Sequence, residues 1–61
     1  MSADAESRVL EVIEASGPIR QAAIERLLGV DELWLVPVLK RLRHLGLIRK
    51  RWGGYWYYAG G

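Results

Sequence analysis

A chain of 61 residues, 51% apolar and 26% charged, has the balance of a single soluble domain whose elements must all share one small core. It has no cysteine, which excludes disulfides, thiol catalysis and thiolate-bound metal. The net charge of +2 conceals a segregation: residues 1–32 set three arginines against seven acids (−4), whereas residues 33–61 hold six cations and no acid (+6).

Asp4 is placed to cap a first helix, over about 4–16, with Val9, Leu10, Val12 and Ile13 inward at helical spacing. Gly17 and Pro18 stop it. Ile19 has room for a very short strand. A second helix fits about 20–28, with Ala23, Ile24, Leu27 and Leu28 inward and Gly29 as its breaker. Asp31 is the cap of a third helix over about 32–45, whose inner stripe is Leu35, Val38, Leu39, Leu42 and Leu45. Beyond Gly46 the period falls to two. Residues 47–51 and 55–59 read as two strands of a hairpin over 47–59, turned at Trp52-Gly53-Gly54.

The chain reads as one mostly α domain over residues 1–61 with a small C-terminal β-hairpin. Gln21, Gly29, Val30 and Leu35, with the run LKRLRHLGLI from Leu39 to Ile48, carry a resemblance, from about Ser7 to Tyr58, to a winged helix-turn-helix domain, the run being similar to the MarR- and ArsR-like regulators. The resemblance implies three helices and a two-stranded wing, the third helix in the DNA major groove and the wing on the backbone or minor groove. Glu25 departs from the pattern, standing where such domains usually carry a small residue.

On that basis, and on the acid-free second half, double-stranded DNA is the expected partner of a small transcriptional regulator. Its contacts would come from Lys40, Arg41, Arg43 and His44 on the third helix and from Arg49, Lys50, Arg51 and Trp52 on the wing. The groove-facing half of that helix reads poorly as a base reader, because it offers Leu33, Val36 and Pro37 flanked by Trp34, behind acidic Asp31 and Glu32. Two readings stand. These four residues form an apolar interface for a second copy or another protein, or Trp34 folds back and Pro37 shifts the facing.

The hairpin aromatics divide into Tyr55 with Tyr57 and Trp56 with Tyr58, of which the second pair is expected to pack inward. The cations beside them suit phosphate contact, or else keep an edge strand soluble.

Catalysis is not expected. His44 stands alone as a titratable group of its kind, and Glu11 and Glu14 read as solvated charge. No cofactor, metal or small-molecule substrate is implied. No apolar run reaches the ~18 residues of a membrane span, and the polar, acidic start predicts no signal peptide, so a cytoplasmic setting is expected.

Overall fold

The computed structural model describes Ser2–Gly60, with side chains from Asp4 onward. Its elements follow in the order α1 (Ser2–Ser16), β1 (Ile19–Arg20), α2 (Gln21–Leu28), α3 (Glu32–His44), β2 (Ile48–Arg51) and β3 (Tyr55–Tyr58). Helix α1 begins before Asp4, which therefore lies in its first turn rather than at its cap. A carboxylate there still suits the positive end of the helix dipole. Val9 and Ile13, four apart, are fully buried, with Leu10 and Val12 packed at their sides.

Helix α3 is capped as its sequence predicts: the Asp31 carboxylate accepts the Trp34 backbone N–H at 2.9 Å. Leu35, Leu39 and Leu42 are its buried stripe. Its end comes one residue earlier than the pattern suggests. The Leu47 N–H donates to the Leu42 carbonyl (3.0 Å) and the Gly46 N–H to the Arg43 carbonyl (2.9 Å), a Schellman closure with Gly46 at φ +81°. Leu45 consequently falls past the stripe and is exposed, and Leu47 packs on the core in its stead. Leu27, also expected inward, is exposed because α2 packs against α1 and β1 and this side chain points off that side.

The sheet has three strands, not two. Ile19 and Arg20 pair antiparallel with Trp56 and Tyr55, giving the order β1-β3-β2 with β3 in the centre. Two residues are too few to show an alternation, so β1 exists by virtue of the strand it pairs with. The hairpin register runs Ile48↔Tyr58, Arg49↔Tyr57, Lys50↔Trp56 and Arg51↔Tyr55. At the turn, the Gly54 N–H donates to the Arg51 carbonyl (3.1 Å) and Gly53 takes φ +92°, a left-handed value that glycine adopts without strain.

Ile19, Ile48 and Trp56 point inward and join Val9, Ile13, Ile24, Leu35, Leu39 and Leu42 in one core. Tyr58 does not follow Trp56 inside. It lies at the open end of the hairpin opposite Ile48, which fills the core there, and it is 38% exposed.

Pro37 sits inside α3 without breaking it. It has no N–H to give the Leu33 carbonyl, and that carbonyl belongs to an exposed residue within reach of water. An interior proline costs about 3 kcal/mol, of which up to about 1 is recovered by a stiffer unfolded chain. Pro37→Ala is therefore expected to raise stability by about 2 kcal/mol, lifting Tm by roughly 8–16 °C in a domain of this size. A thermal melt followed by circular dichroism checks it, and an unchanged Tm would mean that the proline is accommodated at no cost.

Candidate nucleic-acid interface

The tight end of α3 turns the chain straight into β2, and this brings the last helical cations against the hairpin. Arg43, Arg49 and Lys50 line a cleft of about 430 Å³ together with Gly46, Ile48 and Tyr57. Beside it, Lys40, Arg43 and Lys50 surround a smaller cavity of about 150 Å³ floored by Val36, Leu39 and Trp56. Arg43 and Lys50 belong to both hollows, so the helix and hairpin cations form one continuous surface. The Lys50 Nζ lies 5.2 Å from the centroid of the Trp56 ring, a cation–π contact that fixes its direction.

Four cations gathered this way repel one another. Among the described residues the one ion pair is Arg41 with Glu6 (2.6 Å), on another side of α3, so the cluster has no carboxylate of its own to neutralise it. An anion of matching spacing relieves that repulsion, and the hollows admit one.

The other expected contacts are distributed differently. Arg41 faces α1, where it pairs with Glu6 beside Pro37 and Val38. His44 is exposed as the last residue of α3. Arg51 and Trp52 line a third hollow of about 270 Å³ with Pro18 and Tyr55. Trp52 is 96% exposed, in keeping with its place at the turn.

The expected apolar patch is divided. Trp34 is half-buried and packs against the core, and Val36 is half-buried against the small cavity under Lys40 and Lys50. Only Leu33, 86% exposed, and Pro37 remain outward. The Asp31 carboxylate is occupied as a helix cap, which accounts for an acid at that position. Glu25, the departure from the small-residue pattern, is half-buried and accepts a hydrogen bond from the Gln21 Nε2 at 2.9 Å.

Arg20 belongs to the basic half in space although it lies in the acidic half of the sequence. Pairing of β1 with β3 places it across from Tyr55, with its guanidinium 4.7 Å from the ring centroid. The sequence pattern assigns only Ile19 to a very short strand and begins the second helix at about Arg20, and nothing in so short a segment says which strand it joins. Compared with known proteins, the chain matches no family model, no curated protein and no solved structure.

Proposed function

We propose that this chain is a winged-helix DNA-binding protein, a small regulator that grips duplex phosphates where α3 meets the β2–β3 hairpin. The carrying observation is the acid-free surface on which Lys40 and Arg43 of α3 meet Arg49 and Lys50 of β2. Their charges displace condensed counterions from the duplex, and this term supplies most of the affinity of sequence-tolerant binding. His44, at the end of the same helix, extends the row.

Sequence reading is limited in this arrangement. The exposed face of the N-terminal half of α3 offers Glu32, Leu33 and Pro37, which lack the donors and acceptors that match base edges. Leu33 and Pro37 can meet a thymine methyl and little else. The same two residues offer far less than the ~800 Å² per partner that a specific protein interface buries, so a docking role through this patch has less support.

The test is fluorescence anisotropy of a labelled random-sequence duplex titrated with the protein at several salt concentrations. Four phosphate contacts give a slope of log affinity against log salt of about −3.6. Absence of binding at low salt, or affinity indifferent to salt, overturns the proposal.

A further inference from the structure

The helices lie on one side of the sheet, with α1 against β3, α2 against β1 and α3 against β2. The register assigns the other side to Arg20, Tyr55 and Arg51 in one row and Arg49 with Tyr57 in the next. Contacts within this face agree: Arg20 stands over Tyr55 at 4.7 Å and Arg51 over Tyr57 at 6.0 Å. Three arginines and two tyrosines thus alternate on a sheet face that, among the described residues, no other element covers and that carries no acid. At its turn end Trp52 projects almost wholly into solvent, above the hollow of about 270 Å³ that it lines with Pro18, Arg51 and Tyr55.

We infer that this outward sheet face is a second nucleic-acid surface and that its ligand is a single strand. Two features select that ligand. The face is purely cationic, which complements a phosphate backbone and leaves an uncharged or basic peptide without attraction. Its other groups are flat: the Trp52 indole, the tyrosine rings and the guanidinium planes laid on them. Flat groups stack on bases, and only unpaired bases expose their faces, since a duplex hides them in its own stack. A strand would stack a base on Trp52 over Pro18 and Tyr55 and run its phosphates along Arg51, Arg20 and Arg49. The neighbouring Gly53 keeps that turn close to the Tyr55 ring, because a Cβ there would meet the ring carbons at 3.3 Å.

The α3 cleft shares Arg49 and Tyr57 with this face, but Arg20, Arg51, Trp52 and Tyr55 lie outside it, so substitutions at those positions test this surface separately. The experiment measures anisotropy of a labelled 15-nucleotide oligothymidylate, which forms no duplex, in parallel with the duplex. The wild type is expected to bind the oligothymidylate with a salt-dependent affinity. Trp52→Ala is expected to weaken that binding about 10-fold or more, the loss of one base stack. Arg20→Gln is expected to weaken it about 5-fold and to leave duplex affinity within about 2-fold. Both side chains are exposed, so thermal melts of the variants should match the wild type. Failure of the wild type to bind the oligothymidylate overturns the inference, as does binding indifferent to both substitutions. Release of the strand by a proline-rich peptide would also overturn it, since the aromatic hollow would then be a peptide site. Strand binding that needs Trp52, in a protein that ignores duplex, would remove the duplex proposal and leave this one standing.

Discussion

Trp56→Ala is expected to abolish the folded state at 25 °C. Trp56 is the buried centre of the central strand, paired on one side with Ile19 and on the other with Lys50. Removing a buried tryptophan to alanine costs about 3–5 kcal/mol. The core of a domain below about 70 residues rarely supplies more than about 3–5 kcal/mol in total. The two quantities are nearly equal, so nothing remains to hold the three strands against the helices. Far-UV circular dichroism should show loss of helix, because α1 and α2 are anchored to the sheet that this side chain backs. Trp56→Phe keeps most of the volume and should remain folded with a lower Tm. If Trp56→Ala melts within a few degrees of the wild type, the core closes without this ring and the account of the sheet is wrong.

The second large effect concerns the cleft. The double substitution Arg43→Gln with Lys50→Met should weaken duplex binding about 100-fold at 0.1 M salt. The figure follows from the counterion term: each phosphate contact adds about 0.9 to the slope, which at 0.1 M is close to a factor of ten, and two contacts are lost. The salt slope itself should become shallower by about 1.8. Methionine at position 50 keeps an unbranched apolar chain against the Trp56 ring, so the change removes charge with little loss of packing. A second double variant, Arg8→Gln with Arg26→Gln, makes the same change in net charge from α1 and α2, both residues being exposed. It should weaken binding by less than about 3-fold. Equal losses in the two double variants would mean that net charge, rather than the α3–β2 cleft, governs association.

Much of the fold was legible because its signals are local. The spacing of Val9 and Ile13, or of Leu35, Leu39 and Leu42, places side chains on one helix face whatever the rest of the chain does. The Asp31 cap and the Gly46 closure depend on bonds within a few residues. The failures lie where the partner is distant. Leu27 and Leu45 satisfy the helical pattern but are exposed, because α2 presents its other side to α1 and β1 and α3 winds out before Leu45. Tyr58 shares the Trp56 strand face yet lies where Ile48 has already filled the core.

The candidate site divides in the same way. Charge segregation alone marked the second half of the chain as the cationic one. Which cations act together was decided in three dimensions. Arg41 is drawn to Glu6 of α1, whereas Arg43 joins Arg49 and Lys50 through the turn at Gly46. Arg20 reaches the tyrosines only because a two-residue strand pairs with β3.

By itself the sequence determined three helices, the Asp31 cap, the glycine stops, the position of the hairpin turn and the exposure of Trp52, since periodicity and turn chemistry act within a few residues of chain. Only the tertiary structure decided the third strand, the burial of Trp56 without Tyr58, the splitting of the apolar patch and the gathering of Lys40, Arg43, Arg49 and Lys50. The physical reason is that pairing and packing choose among faces that local pattern leaves equivalent: a strand has two sides, and the outcome depends on what comes to cover each.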